Sequence, residues 1–381
     1  MPKAELYQLA QTYRPEFPIF RSTAYLNTCS LGALSERAGA ALNEFTELWS
    51  RLGASAWYEH WLGAADDVRA AFAGLVKASP GEVGLAPSIS GALASIISAI
   101  DFRVRPKVIT TELDFPTVVY QFLAKRGLGV EPVVLPSPDG VSVPLESFAG
   151  AIDERTALVA TSHVYYTTGA IQDVAAVARL AHEQGALCLV DAYQSTGQLP
   201  VNARELGVDF LLTGALKWLL GGAGLAFFYV REPLIAGLDP TVVSWFGVED
   251  QFAFETTAMK LRTDARRFEL GTPAVPTLYT ARAGLAMVEE IGVGRIRRRV
   301  ASLAEDLLQR AVAAGLSVRG AADPEIRSGI VMVEHDEPAA AVERLKEAGV
   351  ICDHRPGAVR LSPHFYNTTE DSEKAIEVLA G

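Results

Sequence analysis

The chain has 381 residues, 49% hydrophobic and 21% charged, an ordinary globular composition with room for two or three domains. Its formal net charge is −11, its pI is near 5.2, and its densest basic run is "RIRRR" at 295–299, which reads as the solvated face of a helix. These features exclude the basic footprint that nucleic acids and anionic membranes need, and no run approaches the roughly 18 apolar residues of a membrane span.

The 6 histidines show no HExxH-like spacing, so no metal site is expected. Cys29, Cys188 and Cys352 are widely spaced and form neither a disulfide framework nor a CxxC pair. Together with an N-terminus, "MPKAELYQLAQTYRPEFP", that lacks an apolar h-region, this predicts a cytoplasmic protein.

The predicted elements begin with "APSISGALASIISAI" (86–100), where Ser88, Ser90 and Gly91 precede an apolar helix. Backbone N–H groups at such a start make an anion site, although a plain serine cap would read the same way. "KVITTE" (107–112), "ALVATSH" (157–163), "LCLVDA" (187–192), "DFLLTG" (209–214) and "LAFFYV" (225–230) read as buried strands. Between them, "TVVYQFLAKRG" (117–127) and "DVAAVARLAHEQGA" (173–186) read as helices, the second ending at Gly185. This alternation predicts an α/β fold of parallel βαβ units with helices on both faces of the sheet. Ligands then gather at the carboxyl ends of the strands, where "SHVYYTTG", "DAYQS" and "TGALK" fall.

After about residue 275 the pattern changes. "TARAGLAMVEEIG" and "RIRRRVASLAEDLLQRAVAAG" read as long helices, and "GIVMVEH", "PAAAVERLKEAG", "VIC" and "AVRLS" as strand, helix, strand, strand. The expected division is a large domain over 21–275 and a small α+β domain over 276–381, with residues 1–20 packing on the small one.

Within "LTGALKWLLGG" (212–222), Lys217 lies among leucines and a tryptophan. A buried ammonium is costly. One reading is that Lys217 snorkels to water; the other is that it is desolvated, less basic, and forms a Schiff base with a carbonyl. Asp191, ending "LCLVD", is by itself a turn or cap residue, or a buried carboxylate with work to do. The two lie about one strand–helix–strand step apart. A lysine Schiff base of pyridoxal phosphate needs its pyridinium nitrogen kept protonated by a carboxylate, and this pair suits that cofactor.

Several segments together carry a resemblance: "YLNTCSLGAL", "TELDFPTVVY", "SHVYYTTG", "LVDAYQSTGQLPV", "FELGTP" and the tail "GVICDHRPGAVRLSPHFYNT". With these the chain resembles the fold-type I pyridoxal-phosphate enzymes of the class V aminotransferase group, which includes cysteine desulfurases, isopenicillin epimerase-like proteins and kynureninases. "SLG", Phe115 and the tail, with Asp353 and Arg355 in its "CDxR" pattern, are similar to kynureninases.

The resemblance implies a large domain with a mostly parallel sheet and a small α+β domain. It implies that Lys217 binds the cofactor aldehyde, Asp191 faces the ring nitrogen, Phe115 stacks on the ring and Gln194 lies near the ring hydroxyl. Ser88 and Ser90 would hold the phosphate. Thr272, with Trp245, would reach a phosphate across the interface of a homodimer with shared active sites. Arg360 would grip the α-carboxylate of a small-molecule amino-acid substrate, for which a guanidinium is well suited; read without the resemblance, it is a plain surface arginine.

There are departures. Leu216 stands where relatives carry His or Tyr, and Gly214 where many carry Ser, with Thr213 as a substitute. Val248 follows "WFG" where kynureninases carry His, and Thr272 lies near the place of their Asn. Cys352 ends an apolar strand and reads as a core residue, against desulfurase chemistry through a persulfide. The resemblance favours cleavage of a bond at Cβ of an α-amino acid by a hydrolase or C–S lyase. Gln194, where kynureninases commonly carry His, speaks for an aminotransferase or epimerase.

Overall fold

The first strand, β1 (Ala24–Tyr25), is only two residues long and pairs in parallel with a short strand near the C-terminus, β11 (Val350–Ile351). Seven strands then build the main sheet: β2 (Val83–Ala86), β3 (Lys107–Thr111), β4 (Glu131–Leu135), β5 (Thr156–Ser162), β6 (Leu187–Asp191), β7 (Phe210–Gly214) and β8 (Ala226–Val230). Their order is β2-β8-β7-β6-β5-β3-β4. This computed structural model describes residues 3–381, with side chains described from Gln8 onward.

The five strands from β4 to β7 along the sheet are parallel, as the alternation of strands and helices predicts. The departure lies at one edge, where β8 runs antiparallel to β7 and β2 antiparallel to β8. The cause is the connection. A parallel return needs a crossover of a dozen or so residues, usually a helix. The short link from β7 to β8 holds no helix; it carries Lys217 instead.

β5, β7 and β8 are buried along their whole length because both faces of the sheet are covered. Alternate residues serve opposite faces. Val159, Val190, Leu211 and Phe227 pack with the helices Glu36–Leu52, Leu62–Leu75, Val174–Glu183 and Val275–Ile291. Leu158, Leu189, Leu212 and Phe228 pack with the helix Ile89–Ile97 and Phe268.

After the long helices Val275–Ile291 and Val293–Ala313, a second sheet is wholly antiparallel. It contains β9 (Val318–Arg319), β10 (Val331–Glu334), β12 (Asp353–Arg355) and β13 (Ala358–Leu361), in the order β12-β13-β10-β9. N-terminal residues pack on this part of the chain: Arg14 pairs with Asp371 at 2.6 Å, and Phe17 packs on Phe365 and Tyr366. "RIRRR" lies on the helix Val293–Ala313 but is not solvated throughout. Ile296 and Arg299 are buried, and Arg299 donates to the Asn367 carbonyl.

Candidate active site

The link between β7 and β8 carries the lysine. Trp218, Leu219 and Leu220 are buried on it, while Leu216 and Lys217 are partly exposed. The "SLG" segment presses against this link: the N–H of Gly32 donates to the Leu216 carbonyl at 2.7 Å. A Cβ at Gly32 would collide with the Lys217 carbonyl, so the close approach requires glycine there.

The lysine head is turned toward aromatic rings. Its Nζ lies 4.0 Å from the centroid of the Tyr193 ring and 6.0 Å from that of Phe115. Burial pushes its pKa down to about 8, with Arg360 and Arg355 acting the same way and Cys29 and Asp191 opposing. Among the described residues no carboxylate pairs with it.

Asp191 is the last residue of β6 and is buried. Its Oδ1 accepts the N–H of Tyr193 at 2.9 Å, and no side chain among the described residues donates to its carboxylate. Burial raises its pKa, against the Tyr193 N–H and the charge of Lys217. A desolvated carboxylate with a free oxygen suits a cationic N–H partner.

Gln194 is held at both ends: its Nε2 donates to the Cys29 carbonyl at 2.9 Å, and its Oε1 accepts from the Trp218 indole at 2.8 Å. Phe115 meets Tyr166 edge-on, is 43% exposed and lines the cavity. Ser88 caps the helix Ile89–Ile97 by accepting the Gly91 N–H at 3.1 Å. That is the capping role; its hydroxyl hydrogen is still available to an anion.

Six of the sequence-predicted residues, Ser88, Ser90, Phe115, Asp191, Gln194 and Lys217, therefore line one cavity of about 200 Å³. Four others do not. Thr213 is turned inward to the Ala192 carbonyl, so it does not supply a hydroxyl at the cavity wall in place of the one missing at Gly214. Trp245 lies on an exposed loop, stacked at 6.1 Å on Phe254. Thr272 lines a neighbouring cleft with Trp57, Trp61 and Arg69. Arg360 is buried beside the cavity, with its Nε and Nη2 on Asp353 at 2.8 and 2.7 Å. Its Nη2 also reaches Ser30 Oγ at 2.7 Å, and its Nη1 the Tyr166 carbonyl at 3.1 Å.

Two residues at the site were not singled out from the sequence. Tyr193 forms part of the cavity wall. Asp114 is buried, and its carboxylate accepts the N–H of Thr111 at 2.8 Å and of Ser162 at 2.6 Å. It ties the ends of β3 and β5 together and so fixes the loop that presents Phe115. Burial raises its pKa to about 6.

A free desolvated carboxylate, an unpaired lysine of lowered pKa, an exposed aromatic ring and a helix N-terminus thus converge on one cavity. These residues fit pyridoxal phosphate. The class-V aminotransferase profile matches residues 63–374. The chain belongs to this family.

Among class-V relatives, the uncharacterized aminotransferase YcbU of Bacillus subtilis is 37% identical over 98% of both chains. The kynureninase of Geobacillus thermodenitrificans is 31% identical over 96% of this chain and 90% of its own. Among solved structures, a mutant of C-DES with glycine covalently linked to its PLP cofactor superposes with a TM-score of 0.89. It shares 21% identity over 96% of this chain and 98% of its own, a likeness of fold. This class-V chain is a pyridoxal-phosphate-dependent enzyme.

Proposed function

We propose that this enzyme acts on an α-amino acid and breaks a bond at Cβ, as a kynureninase-like hydrolase or a C–S lyase. One observation carries this reading. The two kynureninase-like segments, far apart in sequence, form one network beside the lysine: Ser30 of "SLG" donates to Asp353 at 2.5 Å, and both bind Arg360. The kynureninase relative spans nearly the whole chain, which supports the same reading.

When bound, pyridoxal phosphate supplies an aldehyde that condenses with an amino group and a ring that accepts the electrons of a broken bond. In this proposal Lys217 is the residue that would hold the coenzyme by its aldehyde. Its amine, whose basicity burial lowers, would take a proton from Cα of the substrate and return it. Asp191 would keep the ring nitrogen protonated, Phe115 would pack on the ring, Gln194 would lie near the ring hydroxyl, and Ser88 and Ser90 would hold the phosphate.

A guanidinium has five N–H groups, and four of Arg360's are occupied, leaving one on Nη1. That N–H is offered to the substrate α-carboxylate, while Asp353 and Ser30 fix the plane of the fork. Thr272 and Trp245 lie away from this chain's own cavity, which is where a homodimer with shared sites would use them. In the same proposal the large domain covers 21–275, the small one 276–381, and the enzyme works in the cytoplasm. No helix among the described residues is long and apolar enough to cross a membrane.

Persulfide chemistry finds little support. All three cysteines are buried, and burial with the Asp353 charge pushes the Cys352 thiol up to about 12. The second reading is an aminotransferase or epimerase, favoured by Gln194 and by the aminotransferase name of the 37% identical relative.

The test is product mass spectrometry on the holoenzyme with L-kynurenine, cystine, cysteine sulfinate, cysteine S-conjugates, selenocysteine and ordinary amino acids, with and without a keto acid. Release of alanine or pyruvate is the expected outcome. A carbon skeleton returned intact, as a keto acid or with inverted configuration, would overturn Cβ cleavage in favour of the second reading.

A further inference from the structure

Tyr193 follows Asp191 by two residues, and its side chain leaves the Asp191 strand for the next one. A Cβ built on Gly214 would run into the Cε2, Cζ and hydroxyl oxygen of Tyr193. The phenol thus occupies the volume that a side chain at residue 214 would fill. Its hydroxyl makes no hydrogen bond among the described residues, although the ring forms part of the cavity wall.

The sheet register shows where that hydroxyl lies. Gly214 pairs with Ala226, and Ala226 with Ala86, two residues before the Ser88 cap of the helix Ile89–Ile97. Strands are spaced about 4.8 Å apart, so Gly214 stands roughly 10 Å from that turn. Asp191 pairs with Leu212 on the other side of Gly214's strand. The phenol end therefore lies between the carboxylate that faces the ring nitrogen and the helix start that faces the phosphate.

The lining of the cavity sharpens the point. It contains no arginine or histidine, and its single cation is Lys217, whose nitrogen the coenzyme aldehyde would take up. A phosphate dianion here must be held by hydroxyls and backbone N–H groups. Gln194 is already engaged at both ends. Tyr166 meets Phe115 edge-on, with Arg355 over its ring at 5.7 Å.

We propose that the Tyr193 hydroxyl donates a hydrogen bond to the coenzyme phosphate, in the place left by the absent side chain at Gly214. The assignment holds whichever reaction the enzyme catalyses. It makes Tyr193 a coenzyme-binding residue and accounts for glycine three positions before the lysine.

The test uses the full chain stripped of coenzyme, titrated with pyridoxal phosphate and, separately, with pyridoxal, while tryptophan fluorescence and visible absorbance are followed. Both aldehydes reach Lys217, and only one carries the phosphate. Tyr193→Phe keeps the ring and removes the hydroxyl. A hydrogen bond to a charged group predicts a dissociation constant for pyridoxal phosphate raised about tenfold or more, with pyridoxal unaffected. Equal losses for both aldehydes, or no loss for either, would overturn the proposal. Tyr193→Ala combined with Gly214→Ser returns a hydroxyl to the vacated place. It should regain preference for the phosphorylated aldehyde over Tyr193→Ala alone; no gain would overturn the placement above residue 214.

Discussion

At the carboxyl ends of β5, β6 and β7, every candidate residue is fixed by its own chain: Asp191 by a backbone N–H, Gln194 by two partners, and the loop of Lys217 by the backbone of Gly32. The loop over 242–259 is the opposite case. Trp245, Phe252, Phe254 and Met259 are 44–70% exposed, with the first three rings touching one another and Tyr58 against Phe252. The comparison teaches that, in our proposal, this chain by itself supplies the ring-binding half of the site. It leaves a large apolar surface beside the segments that carry Trp245 and Thr272, and a surface of that kind calls for a protein partner. In our proposal the partner is a second copy.

The hardest break of the self-built half is Lys217→Ala. It should abolish the visible absorbance of lysine-bound coenzyme and lower turnover by about 10²–10⁴-fold or more, the usual share of a positioned acid–base group. The circular dichroism of the fold should persist. A variant that kept a borohydride-reducible coenzyme and full turnover would remove Lys217 from its assigned role.

Next in size is Arg360→Ala. Loss of a charged partner in a closed site costs on the order of 2–5 kcal/mol. The expected outcome is a raised KM with a smaller change in kcat. Part of the cost will appear as a lower Tm, because Asp353 loses its bidentate partner. Unchanged KM with a lowered Tm would reduce Arg360 to a structural residue.

Much of the self-built half was legible in the sequence, for a physical reason. β3 and β5–β8 are apolar runs buried on both faces, and strand ends in such a sheet are where ligands gather. Lys217 and Asp191 stood out because a charge in such a run needs an explanation. β4 was missed because it is an edge strand, "EPVVL", with a proline and partial exposure. Asp114 and Tyr193 were missed because their roles come from partners distant in sequence: Ser162 on another strand for Asp114, and the missing side chain of Gly214 for Tyr193. No local pattern encodes either contact. The direction of β8 depended on how short its link to β7 is, which apolar periodicity does not report.

The open half is broken at its aromatic cluster. Trp245→Ser together with Phe254→Ser removes two stacked rings of the exposed patch. If a second copy covers them, they are interface anchors, and truncating such anchors costs about 2 kcal/mol or more each. Sedimentation velocity should then show the dimer shifting to monomer at micromolar concentrations, with coenzyme affinity falling as Thr272 of each neighbour is lost. A variant that sediments as the parent protein does would place the interface elsewhere.

The smallest effect concerns the proton on Lys217 in the coenzyme-free chain. Burial holds its folded-state pKa at about 8, against 10.5 for an ordinary lysine. Between those values the unfolded chain keeps the proton and the folded chain has lost it. The unfolded state then binds more protons, so folding stability must rise with pH across that window. Below about pH 8 both states are protonated and the slope from this residue vanishes. The folded state there bears the full cost of a desolvated ammonium. Lys217→Met should be more stable than the parent below pH 8, and the difference should shrink toward pH 10.5, by about 3 kcal/mol at most. Denaturant titrations of both apoproteins at several pH values measure this directly. Parallel curves would mean that water reaches the ammonium, and that the aromatic walls of Tyr193 and Phe115 do not set its basicity.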